Sequence, residues 1–235
     1  MRTAALLTTA TLLLLAACGA APGDDALFPL AEGRRWTYRV STLIDEANTT
    51  ERATLVMANR GSDTIDGAPS WRRRSDSGIE YWLRSDATGI YRIASRNPLE
   101  REPQLDNPRR YVLQKPYAVG TEWEAPTTAY VLARKNEVPR EVRYFHKPFQ
   151  MHYRIEALAE KVQTLAGAFE GCMRVSGRAE IRLYDDAMFR WRDMPLFTVE
   201  WYCPGVGLVR LERKEPTPSK FMVGGSVTME LASWQ

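Results

Sequence analysis

Residues 173–183 read MRVSGRAEIRL. Met173, Val175, Ala179, Ile181 and Leu183 fall on one side of this stretch, and Arg174, Ser176, Arg178, Glu180 and Arg182 on the other. Side chains point alternately to the two faces of an extended chain, so period-two alternation marks a half-buried β-strand. The same alternation groups Phe197, Val199, Trp201 and Cys203 in FTVEWYC, Val227, Met229 and Leu231 in SVTMEL, and Trp36, Tyr38 and Val40 in WTYRV. These runs are rich in the aromatic and β-branched residues that suit a pleated, half-buried surface.

One stretch carries two signals. In YRIEALAEKVQTLAG (153–167), Ile155, Leu158, Ala159 and Val162 follow helical spacing, while Tyr153, Ile155 and Ala157 alternate. An internal repeat favours the strand. PLAEGRRW (29–36) and PYAVGTEW (116–123) share Pro29/Pro116, Gly33/Gly120 and Trp36/Trp123 at identical spacing. Each is followed by a small-residue turn, TIDGAPSWRR (64–73) and TLAGAFEGCMRV (164–175). A strand pair then follows in each, EYWLRSDATGIYRI (80–93) and VEWYCPGVGLVRLE (199–212). The alignment makes 153–175 mostly β and divides the body into two halves, about 27–113 and 114–235.

The stretch WYCPGVGLVRLE (201–212) reads as strand, turn, strand. Proline presets φ and glycine accepts positive φ, so Pro204, Gly205 and Gly207 are turn residues. A phosphate-cradling glycine loop would lead into a helix, whereas LVRLERKE alternates.

The chain begins MRTAALLTTATLLLLAACGAAPGDD, one basic residue and then an apolar run from Ala4 to Ala17 that is short for a bilayer span. This is a signal-peptide pattern covering residues 1–17. Leu15-Ala16-Ala17-Cys18 resembles the bacterial lipobox. The resemblance implies a lipidated, palmitate-type acylated Cys18 at a new amino terminus, and two or more acyl chains hold a protein stably at a membrane. Gly19 after the cysteine implies sorting to the outer membrane, with the body on its periplasmic face. Residues 18–26 then form the anchor and a tether of small and polar residues, and one domain spans 27–235.

With Cys18 lipidated, Cys172 and Cys203 form an even pair in an oxidising compartment, and a disulfide is expected. Cys172 shares phase with Arg174 and Cys203 with Trp201, so the bridge fits best at a strand end or bulge. Two thiols alone do not make a metal site. The formal charge of +3, one unit of it Arg2, is close to balanced, and no nucleic-acid partner is expected. Arg72-Arg73-Arg74 and Arg109-Arg110 read as solvated positions. His146 and His152 read as surface or loop residues, and Asp185-Asp186 as a hairpin loop. No familiar catalytic motif stands out, so no catalytic residue, metal or cofactor is assigned. Of seven tryptophans, Trp36, Trp123 and Trp201 lie on patterned positions that predict core packing.

FPLAEGRRWTY (28–38), AGAFEGCMRV (166–175) and WYCPGVGLVRLE (201–212) resemble the hallmarks of a group of bacterial envelope lipoproteins. These open on a Phe-Pro, Gly and Trp-Tyr signature and close on a Pro-Gly-x-Gly turn. The resemblance implies a mainly β fold with little helix: a single antiparallel, strongly curved sheet or open half-barrel. In outline this is similar to the LolA and LolB carriers. The expected role is non-enzymatic: a membrane-anchored protein whose curved sheet binds an apolar or amphipathic ligand or a lipidated envelope partner. The alternatives are an interaction or assembly module using a sheet edge and, third, a hydrolase with an unrecognised site.

Overall fold

The computed structural model describes residues 25–45, 49–134, 148–185, 189–219 and 222–235. The expected lipidation site Cys18 and the signal segment lie outside them, as do His146 and Asp186.

All regular structure among the described residues is β. The first half contributes β1 (Arg35–Ile44), β2 (Thr49–Ile65), β3 (Ala68–Ser75), β4 (Glu80–Asp86), β5 (Gly89–Arg96) and β6 (Gln104–Gln114). The second contributes β7 (Glu122–Thr127), β8 (Ala133–Arg134), β9 (Phe149–Thr164), β10 (Gly167–Asp185), β11 (Arg190–Cys203), β12 (Gly207–Glu215), β13 (Met222–Val223) and β14 (Gly225–Trp234). Twelve of these form one antiparallel sheet in the order β6-β5-β4-β3-β2-β1-β14-β12-β11-β10-β9-β7, and β8 pairs separately with β13.

Each half is thus a six-stranded meander. The first strand of one half pairs with the last strand of the other, β1 with β14. The sheet curls until its edge strands β6 and β7, joined by the short connection 115–121, approach each other without a ladder between them. The result is a barrel closed except for one seam. Both edge strands carry a proline, Pro108 and Pro126, which withholds a backbone donor where no neighbour needs one.

Met173, Val175 and Ala179 of β10 are buried on the inner face, with Ile181 beside them. In 153–166 the chain is strand. Ala159 adopts φ of 62°, and the β9–β10 register slips beside it. That bulge resets the alternation, so Ile155 and Val162, seven residues apart, are both buried. The helical spacing was the trace of a bulged strand.

Two expectations are corrected. In β11 it is Met194, Leu196, Thr198 and Tyr202 that are buried, while Phe197 is 40% exposed and Val199 and Trp201 are half-buried. Phe197 and Val199 of that apolar phase therefore face outward, because the pairing of Thr198 with Gly177 and Arg213 turns the opposite phase inward, while Cys203 is buried and Trp201 packs against the cluster that holds it. Residues 25 and 26 belong to the body rather than a tether. Asp25 accepts a hydrogen bond from the Tyr117 hydroxyl (3.0 Å) and pairs with Lys115 (3.3 Å), and the Ala26 carbonyl accepts from Gly205 N (2.7 Å).

The two barrel ends are closed differently. At one, Phe28 and Leu30 insert into the core. At the other, Glu215, fully buried, accepts hydrogen bonds from Arg213 Nε (2.6 Å) and from the backbone N–H groups of Tyr130, Val131 and Leu132 (2.7–3.0 Å). Arg213 in turn donates to the Thr127 hydroxyl and the Thr128 carbonyl. This satisfied ion pair holds segment 128–132 against the end of β12, as buried charges require.

Candidate functional site

The quoted motifs meet in space. The indole N–H of Trp36 donates to the Val206 carbonyl at 2.7 Å, and the Tyr38 hydroxyl to the Leu208 carbonyl at 2.9 Å. Gly205 and Gly207 adopt φ of 75° and 92°, values that a Cβ disfavours. Pro29 lies against Gly207, where an added Cβ would meet its ring at 3.4 Å. The Phe-Pro and Trp-Tyr signature and the Pro204-Gly205-Val206-Gly207 turn are therefore two sides of one latch at the plugged end. In the second half, Gly120 (φ 92°) donates to the Ile155 carbonyl, beyond Pro116, and Trp123 stacks on Tyr153 with centroids 5.4 Å apart. Cys172 and Cys203 are disulfide-bonded, with Cys172 between two register slips of β10.

Arg73 and Arg110 are not solvated positions. Alternation along β3 turns Arg72 and Arg74 one way and Arg73 the other, into the barrel. There its guanidinium lies 4.1 Å from the Phe28 ring and 4.5 Å from the Trp36 ring. It donates to the Asn59 side chain (2.8 Å) and the Pro29 carbonyl (2.7 Å). Burial pulls its pKa down to about 10, and it remains a cation at neutral pH.

Deeper on the inner face is a second polar group. Glu200 of β11 accepts a 2.5 Å hydrogen bond from the Tyr202 hydroxyl, and the Thr198 hydroxyl stands 3.5 Å away. Burial raises the Glu200 pKa, opposed by Tyr202, Arg213 and Arg110. Burial also raises Tyr153, with the Glu200 charge adding to it and Arg110 opposing. Arg110 of edge strand β6, Tyr153 of β9 and Glu200 of β11 thus form one electrostatic group beside the seam, with Trp123 of β7 stacked on Tyr153.

The patch sits in apolar surroundings. Leu83, Ala125, Met151, Ile155 and Leu196 are buried in the same core as Trp123 and Tyr153. Around the inner face toward β1, β2 and β14 the packing is looser: Val40, Leu55, Met57 and Met229 remain half-buried.

His152 is exposed on β9, 3.4 Å from Glu122, and is not part of this group. Among the described residues no cluster of three or more His, Cys, Asp or Glu could hold a metal ion. Sequence reasoning missed Glu200, Arg110 and Tyr153 as site residues. Glu200 lies in the polar phase of a strand whose apolar phase faces out, which only the pairing reveals.

No protein-family model matches the chain, and no curated protein is significantly similar in sequence. Two solved structures are weakly similar to it. A candidate lipoprotein from Parabacteroides distasonis is 16% identical with a TM-score of 0.43, the match covering 90% of this chain and 99% of that one. A candidate exported protein with a YmcC-like fold from Bacteroides fragilis is 15% identical with a TM-score of 0.38, covering 88% and 98%.

Proposed function

We propose that this protein is an envelope lipoprotein whose barrel holds an amphipathic, acyl-bearing ligand against its inner face without catalysing a reaction on it. The leader and the lipobox-like Leu15-Ala16-Ala17-Cys18 support the location. One observation carries the binding reading. Val40, Leu55, Met57 and Met229 face inward yet stay half-buried, while Leu196, Met151 and Ile155 are fully covered. The protein's own side chains leave part of an apolar wall incompletely covered, across the barrel from a compact polar group, and an apolar lining with a few placed polar groups is what ligand sites share. The alternative of strand addition at a sheet edge is disfavoured by Pro108 and Pro126 in the two edge strands.

The test is native mass spectrometry, with organic extraction, of the full chain carrying Cys18→Ser so that no anchor lipid contributes. A co-purifying acyl lipid near one per chain is expected. A bare protein that also fails to bind an added fluorescent fatty-acyl probe would overturn the reading.

A further inference from the structure

Hydrogen-bond donors and acceptors on the inner face do not balance. Arg213 is used by Glu215, Thr127 and Thr128, and Glu215 is saturated by Arg213 and three backbone N–H groups. Arg73 is used by Asn59 and Pro29. Glu200 already accepts from Tyr202.

Three groups beside the seam remain. The indole N–H of Trp123, a residue 5% exposed, is buried without a hydrogen-bond partner. Among the described residues the hydroxyl of Tyr153, 8% exposed, has no hydrogen-bond partner, and Arg110 has neither a close ion pair nor a hydrogen bond, only the longer-range charge of Glu200. All three are donors, and one is a permanent cation. A buried donor left unpaired costs about 1–3 kcal/mol, so the Trp123 N–H, with the Tyr153 hydroxyl and the half-buried Arg110 beside it, points to an occupant that brings acceptors.

Resting on the ligand-binding reading above, we infer that the ligand's head is an acidic, acceptor-rich group, a carboxylate or phosphate, seated among Arg110, Trp123 and Tyr153. Its acyl chain runs along the uncovered apolar wall. The charges agree with this placement. Among the described residues at least four arginines face inward: Arg213 has a carboxylate partner in Glu215, Arg92, paired in register with Arg110, has Asp106 at 2.6 Å, Arg73 is held by neutral acceptors, and Arg110 has only the longer-range charge of Glu200 opposite it. Glu200 opposes an anion only when ionised, and burial favours its neutral form.

The experiment compares palmitate, a lysophosphatidic acid with the same chain, and hexadecanol, titrated by calorimetry into the delipidated full chain carrying Cys18→Ser. Arg110→Gln and Tyr153→Phe are made in the same background. The acidic ligands should bind about tenfold or more tighter than the alcohol, as a charge-assisted contact predicts. Arg110→Gln should bring all three within about twofold, with an unchanged circular dichroism spectrum and melting temperature showing that the barrel is intact. Tyr153→Phe should lower the preference in part. Whichever acid binds more tightly names the head group. Equal binding of all three, or a preference that survives Arg110→Gln, overturns the inference and leaves the proposed function standing. Binding of none overturns both.

Discussion

Trp36 and Trp123 hold the same place in the two meanders, each the second residue of the strand that opens its half, yet only Trp36 has its indole N–H hydrogen-bonded, to Val206 at 2.7 Å. Trp123 is buried with that group unpartnered. One is part of the latch, and the other faces the proposed site. Trp36→Phe removes a buried hydrogen bond and orphans the Val206 carbonyl, whereas Trp123→Phe removes a donor that had no partner. Trp36→Phe should therefore cost about 1–2 kcal/mol more in urea unfolding than Trp123→Phe. Equal losses would mean that the latch bond contributes nothing.

The Cys172–Cys203 bridge closes a loop with a sequence separation of 31. Replacing both cysteines by serine should lower stability by roughly 3–4 kcal/mol through the larger entropy of the unfolded chain. Strand signal in circular dichroism should persist, since the β10–β11 ladder runs on for thirteen paired positions beyond the bridge end.

Gly177 lies at a crowded point of the inner face. A Cβ there would lie 2.5 Å from Thr198 Cγ2 and 3.1 Å from Met151 Cγ and Tyr153 Cδ1. Gly177→Ala should destabilise by about 1–3 kcal/mol, the usual cost of overpacking. Adding Thr198→Ser, which deletes the nearest methyl, should return part of that loss. A double mutant no better than the single would show that the strain lies elsewhere.

Glu200 gives the apo protein a distinctive pH response. Its folded pKa is raised by burial above the ordinary 4.5. Between those two values the folded chain keeps a proton that the unfolded chain releases, so this residue's contribution to stability is present at low pH and lost as pH rises through the window. Melting temperatures from pH 4 upward should fall more steeply for the wild type than for Glu200→Gln. Parallel curves would refute the assignment.

Much of the latch was readable in one dimension. Pro29, Gly33, Trp36 and Pro204-Gly205-Val206-Gly207 stood out because turns demand particular φ values and tight packing demands particular residue sizes. Their contact across the barrel was not readable, since nothing local ties position 36 to position 206. The bulge at Ala159 misled the spacing of 153–162 for a related reason: a one-residue slip changes the face of every residue after it.

The sequence by itself determined that this chain forms strands, where several of them turn, and which residues share a face, because those properties follow from alternation and backbone sterics within a few residues. Only the tertiary structure decided which face looks inward. Phe197 and Val199 look like core and lie outside, while Glu200, Arg73 and Arg110 look solvated and face inward. That choice depends on the register of β11 against β10 and β12 and on the curl that brings β6 beside β7, and both are set by the sum of distant contacts rather than by any single segment.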